Sequence, residues 1–387
     1  MAVGTTMGNR SQAPAPQEGA NDAPAQAAGV VRFVRASDEH VQPGGIDVTR
    51  TLTASQQDLG VFDIPAYGFL RSVWLLVTVT GSAAGLATVA ADEDAPFNIL
   101  QNIALTEPNG APIVQLSDGY QLYLANKFGG YLPGKTADPK LWSQFVDVDS
   151  DGDFTFALRV PVEVGPRDAL GALANQDSAG QFKLRLAVAG TGTIYDTAPD
   201  TPGSVRIRAY IECWDQPEAG AAGMSNQVNP PAPGTTSFWT VQSGVTVPSG
   251  QFNLELKRKG NFLRQVILVL RDTTTPTRAD GEALWPDETR FERDAFPARY
   301  YQDDYWRDLM VQRTGFDAAE DAAGGLENGV RFHDYMHEFD GYLGRETRDL
   351  WQPTRGSSRL EFVGNFGGSG TMDIITNDVA IAENVFL

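Results

Sequence analysis

Apolar and polar side chains alternate with period two along most of this chain. Phe154, Phe156, Leu158 and Val160 alternate with Thr155, Ala157 and Arg159, and Phe182, Leu184, Leu186 and Val188 alternate with Lys183, Arg185 and Ala187. That is the pattern of strands with one buried face. It predicts strands at residues 59–64, 70–80, 99–106, 154–162, 182–189 and 205–214 in the first half, and at 237–247, 253–256, 262–271, 360–362, 371–376 and 379–381 in the second. The period changes in two places. Tyr120, Tyr123, Leu124 and Phe128 recur at helical spacing and predict a short helix set into a loop. In the second half Pro286 precedes Asp287 and Glu288 as at a helix start, and Tyr301, Tyr305 and Leu309 follow at i, i+4 and i+8, predicting a larger helical insertion.

One stretch occurs twice. Phe69-Leu70-Arg71-Ser72-Val73-Trp74-Leu75-Leu76 returns as Phe262-Leu263-Arg264-Gln265-Val266-Ile267-Leu268-Val269, from position 69 to position 262, a displacement of 193 in 387 residues. Each copy opens an apolar strand near the start of its half, so the chain reads as one β unit used twice. Between the halves, Asp215-Gln216-Pro217 and Pro230-Pro231-Ala232-Pro233-Gly234 bracket an Ala/Gly-rich tract, which places a linker at 218–236 between domains at 46–217 and 237–387. Residues 1–30 are dominated by Ala, Pro, Gln and Gly without apolar periodicity, and a flexible arm is expected over 1–45. Residues 29–35 are apolar with two arginines. They suit contact with a neighbouring subunit or a membrane surface, or, the reading we favour, an edge strand or short helix covering the core.

Composition supports short strands and long loops: Gly 40, Pro 23, 42% apolar and 20% charged residues. The formal charge of -19 opposes an extensive phosphate-binding surface, so direct nucleic-acid binding is not expected. Cys213 is the only cysteine, which excludes an intrachain disulfide. The first ten residues lack a basic cluster and an apolar core, unlike a secretory signal, and synthesis in a cytoplasm is expected. Val73 to Ala91 carries no charge for 19 residues, but its β-branched start and Gly81-Ser82-Ala83-Ala84-Gly85 break fit a buried strand and loop better than a membrane span.

Candidate chemistry is sparse. Asp147, Asp149, Asp151 and Asp153, with Gly152, begin like an EF-hand calcium loop, but Leu158 stands where a bidentate Glu is needed. Two readings stand: a Ca²⁺ site completed by another loop, or an acidic turn before a strand. His333-Asp334-Tyr335-Met336-His337 is a relative of the zincin pattern that on a helix would put both imidazoles on one face, with Glu346 or Glu361 as a third ligand. Exposed histidines beside a packed aromatic row are the preferred reading, because Asp is short for a general base and Gly341 and Gly344 cut the pattern off. Lys257, Arg258 and Lys259, with Arg264, form the one basic concentration, suited to lipid headgroups, an acidic neighbour or protection of a strand edge. The tryptophans, Trp74, Trp214, Trp239 and Trp306 among them, suit barrel core or subunit contacts. Neither a nucleophile elbow nor a Walker loop nor a dinucleotide fingerprint is present, and no enzymatic activity or required cofactor is expected.

Three stretches carry a family likeness. Val61-Phe62-Asp63-Ile64-Pro65 leading to Gly68-Phe69-Leu70, Leu100-Gln101-Asn102-Ile103 running to Asn109-Gly110, and Tyr210 to Gln216-Pro217 resemble the opening strands, a following strand and turn, and the exit strand of the first barrel in the double jelly-roll major capsid proteins of tectivirus-like bacteriophages. The resemblance implies an all-β chain of two tandem eight-stranded jelly-roll barrels with short helices in loops. It also implies a homotrimer acting as a pseudo-hexagonal capsomer in an icosahedral virion shell, in contact with neighbouring capsomers and minor penton proteins. The amino-terminal arm would link capsomers or approach an internal membrane. An alternative use of such barrels is a carbohydrate-binding or tail-associated receptor-binding protein with a Ca²⁺-stabilised loop.

Overall fold

The computed structural model describes residues 31–81, 88–132, 145–217, 228–229, 234–274, 276–314 and 325–381. Two sets of eight strands follow one another. The first runs β1 (Glu39–Thr51), β2 (Gln57–Asp63), β3 (Phe69–Thr80), β4 (Leu100–Thr106), β5 (Pro112–Asp118), β6 (Phe154–Pro161), β7 (Lys183–Val188) and β8 (Ser204–Trp214). The second runs β9 (Thr236–Val247), β10 (Gly250–Glu255), β11 (Phe262–Asp272), β12 (Glu288–Arg293), β13 (Phe296–Gln302), β14 (Val330–Asp334), β15 (Leu360–Phe366) and β16 (Gly370–Ala380). Helix α1 (Phe33–Ala36) precedes them, and α2 (Gly119–Gly129), α3 (Thr191–Ile194), α4 (Arg278–Glu282) and α5 (Asp303–Thr314) lie between strands.

Hydrogen bonding orders the first set as β1-β8-β3-β6 and β2-β7-β4-β5, and the second as β9-β16-β11-β14 and β10-β15-β12-β13. Both orders are those of an eight-stranded jelly roll, and strand n of the first barrel corresponds to strand n+8 of the second. The alternating apolar rows meet inside, where Leu75, Val77, Phe156 and Leu158 join Leu105 and Leu184 in a continuous buried cluster. The tandem-barrel expectation is met.

The repeated octapeptide occupies one place in both barrels. Phe69 opens β3 opposite Trp214 at the end of β8, and Phe262 opens β11 opposite Val379 near the end of β16. A two-residue strand extends the sheet at this point in each barrel: Leu173–Ala174 beside Phe69 and Leu70, Gln352–Pro353 beside Phe262 and Leu263. Each copy also carries a bulge one residue further on. Arg71 has no partner between Leu70↔Cys213 and Ser72↔Glu212, and Arg264 has none between Leu263↔Asp378 and Gln265↔Asn377.

Several expectations are corrected. Strand β1 begins at Glu39, inside the stretch read as arm, and a register shift opposite Arg208 and Tyr210 absorbs Gly44 and Gly45, with Gly45 at φ 76. Pro286-Asp287-Glu288 leads into strand β12 rather than a helix, and only α5 of the expected helical tract is helical. Strands β1, β5, β12, β13 and β14 were not foreseen.

Residues 31–32 pair in parallel with 228–229, and α1 lays Phe33 edge-on against Phe69 at 4.9 Å, in a small cluster with Trp214, Ala169 and Ala172. Thus 31–36 covers the first barrel, as favoured above; residues 1–30, 82–87 and most of the expected linker lie outside the described residues. No helix among the described residues is long and apolar enough to cross a membrane. Cys213, in β8, is free and fully buried.

Candidate assembly interface at the junction of the barrels

The barrels meet edge to edge. Strand β9 lies parallel to β5, with Trp239 opposite Val114 and Thr240 opposite Gln115, so that β14-β11-β16-β9-β5-β4-β7-β2 forms one continuous sheet. Trp239 is completely buried, and its ring stands edge-on to Tyr131 at 6.4 Å.

Helix α2 follows β5 directly and is buried over its whole length. Asp118 caps it by accepting from the Gln121 amide, and Gly130 ends it in the left-handed region at φ 80. One side is fixed to the first barrel: Asn126 donates to the Arg159 carbonyl and accepts from the Arg159 amide, sealing the free edge of β6. The other side belongs to the second barrel. Phe128 stacks on Phe332 of β14 at 4.6 Å, Tyr120 donates to the Leu326 carbonyl at 2.5 Å, and Lys127 pairs with Glu327. This helix explains a contrast between duplicated strands. On β11, Ile267 and Val269 are fully buried, whereas Trp74 and Leu76, which stand 193 positions earlier on β3, are only half-buried.

Charges tie the same seam. Asp94, before β4, accepts from Arg278 at 2.6 Å and Arg271 at 2.5 Å. Arg278 also donates to the Glu93 carbonyl and lies 4.5 Å from the Tyr120 ring centre. Burial pushes the Asp94 carboxyl up, but the two guanidinium charges outweigh it and hold its pKa below the ordinary carboxylate range. Asp118 gains less from its backbone hydrogen bond than it loses to burial, and its pKa rises to about 7. The bulged Arg264, wholly buried, pairs with Glu346 at 2.7 Å and donates to the Gly129 carbonyl at the end of α2. Its counterpart Arg71 pairs with Glu163 at 2.8 Å and lies over the Trp214 ring.

The residues singled out in sequence are dispersed. Asp149 accepts from the Asp151 and Asp153 amides, Asp147 from the Val148 amide, and Asp153 from the Gly81 amide, so these carboxylates cap their own turn and the neighbouring loop. Among the described residues no three His, Cys, Asp or Glu side chains are gathered as for a metal ion. His333 and His337 are not on a helix: His333 is on β14, buried against Tyr301, Trp306 and Phe362, and His337 bridges to Thr347. Glu346 is committed to Arg264 and Glu361 to Arg359. The exposed-histidine reading therefore fails for His333, because the residues around it alternate as a strand whose two faces are both covered. The basic concentration is also broken up: Arg258 is bidentate to Asp378, Lys259 pairs with Glu255, and Arg264 is interior. Trp214, Trp239 and Trp306 are buried, as expected of core tryptophans.

No protein-family model and no curated protein sequence matches the chain. Solved structures do. The major capsid protein of Sulfolobus turreted icosahedral virus superposes with a TM-score of 0.57 at 11% identity, covering 90% of this chain and 99% of that one. The major capsid protein P2 of bacteriophage PM2 gives 0.54 at 9% identity over 90% and 99%, and the capsid of PBCV-1 virus gives 0.58 at 9% over 91% and 96%. At such identities the likeness establishes the fold: both barrels, and their arrangement, are those of a double jelly roll.

Proposed function

We propose that this double jelly roll is the major coat subunit of a tailless icosahedral virus, acting as a homotrimer whose six barrels form a pseudo-hexagonal capsomer. The observation that carries the reading is the edge-to-edge joining of two equivalent barrels within one chain, because three such chains place six near-equivalent edges around a ring. The similarity to coat proteins over nine-tenths of the chain supports it. In this reading the work is assembly rather than catalysis, and location is the virion shell after synthesis in the host cytoplasm. Neighbouring capsomers and minor penton proteins are the partners, and residues 1–30 link capsomers or reach an internal membrane. The charge of -19 suits a shell that does not bind the genome directly.

Native mass measurement tests the reading. A trimer that forms hexagonal arrays under the electron microscope is expected; a monomer at high concentration that binds glycans would replace it with the carbohydrate-binding alternative.

A further inference from the structure

Among the described residues, duplication leaves two strand edges without the neighbour that their counterparts possess. Strand β9 has β16 on one side and β5 on the other, whereas β1 has only β8. Strand β5 has β4 and β9, whereas β13 has only β12. The remaining edge strands behave alike in the two barrels, so the asymmetry is confined to β1 and β13. Both open edges display apolar side chains: Val41 is 59% exposed on β1, and Phe296 and Tyr300 are 77% and 59% exposed on β13.

The helices repeat the asymmetry. Strand β13 runs into α5 as β5 runs into α2, and Asp303-x-Tyr305-x-x-x-Leu309 matches Asp118-x-Tyr120-x-x-x-Leu124. Helix α5 rests on its own barrel through Arg313, which pairs with Asp334 at the end of β14, much as α2 rests on β6. Among the described residues nothing covers its outer side at Tyr305. Tyr120 is fully buried by the second barrel, while Tyr305 is 71% exposed, and beside it a cleft of about 220 Å³ opens between Arg299, Trp306 and Arg313. The sheet face that would cover α5 also exists: Trp74 and Leu76 are half-buried where Ile267 and Val269 are buried, Ile267 beside the Phe332 that stacks on Phe128 of α2.

We infer that the β13–α5 face docks on β1 and the Trp74–Leu76 face of a second copy of this chain, repeating between chains the β5–β9 junction that exists within one. The inference rests on the trimer reading and specifies its contact residues. Register gives the pairing. Val41 holds the place of Trp239, since Val41↔Glu212↔Ser72 and Trp239↔Asn377↔Gln265 are the same ladder rung 193 positions apart along β3 and β11. Gln42 holds that of Thr240 by the next rung, Gln42↔Ile211↔Val73 against Thr240↔Thr376↔Val266. Aligning the two Asp-x-Tyr helix starts places Tyr300 where Gln115 stands, and Gln115 pairs with Thr240. Gln42 of one copy therefore faces Tyr300 of the next. The contact is head to tail, and in the trimer reading it closes a ring after three copies.

Cysteine pairing tests this directly, because the single native thiol is buried. The full chain carrying Gln42→Cys and Tyr300→Cys, oxidised and run without reductant, should give covalent closed trimers, and neither single variant should. Tyr305→Asp should raise the concentration at which trimers dissociate at least about tenfold, as loss of a buried interface aromatic does. A native trimer that neither cross-links through this pair nor responds to Tyr305→Asp overturns the inference and leaves the coat reading standing. A ladder extending past three chains overturns ring closure. A wild-type chain that is monomeric throughout sinks both.

Discussion

His333 is the least comfortable side chain in the second barrel. Its ring lies 4.2 Å from that of Tyr301, 5.0 Å from Trp306 and 4.6 Å from Phe362, and neither nitrogen has a hydrogen-bond partner. Burial, assisted by the charges of Arg331 and Arg299, pushes its pKa down to about 3. The unfolded chain takes up a proton near the ordinary value of 6.5, so stability is complete above pH 6.5 and is drained as pH falls from there toward 3. His333→Phe should flatten that part of the stability profile, and melting temperatures of both proteins between pH 7 and 4 measure it. Sequence spacing could not reveal the burial. In β14 the polar partners of the alternation, Arg331 and His333, are buried too, Arg331 through ion pairs with Glu282 and Asp303, so both faces are covered and the period is hidden. The acidic turn is a simpler case. Asp149→Ala removes the acceptor for two backbone amides and should cost about 1 kcal/mol, with millimolar calcium leaving the wild-type melting temperature unchanged.

Among elements, the strands with a clean apolar alternation were legible, and so was β11, buried on both faces, through its repeated octapeptide. Strands β3, β6, β7 and β8 alternate cleanly, and the repeat of β3 as β11 located the second barrel. Strand β5 escaped because Ile113 and Val114 are both buried, one of its edges being closed by β9. Helix α5 was foreseen from Tyr305 and Leu309, but Tyr301 belongs to the preceding strand, where a tyrosine at helical distance misled the boundary. The duplicated bulge preserves an arginine in each barrel, and that of Arg264 carries the larger stake. Both it and Glu346 are out of water, so Arg264→Met should cost about 3–5 kcal/mol by stranding the carboxylate, while the Arg264→Met/Glu346→Met double variant should recover most of the loss. Chemical denaturation of the single and double variants completes the cycle.

At the scale of the molecule, the duplication and its two-barrel outcome were readable from one octapeptide, yet the joint between barrels was not, since a parallel strand pair leaves no local signal. The joint makes the halves interdependent. A second barrel produced alone over residues 234–381 would expose Trp239, Ile267, Val269 and Phe332. It should aggregate, whereas the intact chain should unfold in one transition by calorimetry. Cys213 gives the same interdependence a clock. The thiol is shut within β8, and burial raises its pKa to about 12, so an alkylating reagent in neutral buffer finds nothing to modify until the first barrel opens. The pace at which label accumulates then counts barrel openings, and under the coat-subunit proposal a subunit locked into a finished shell should take up label more slowly than the same subunit free in solution.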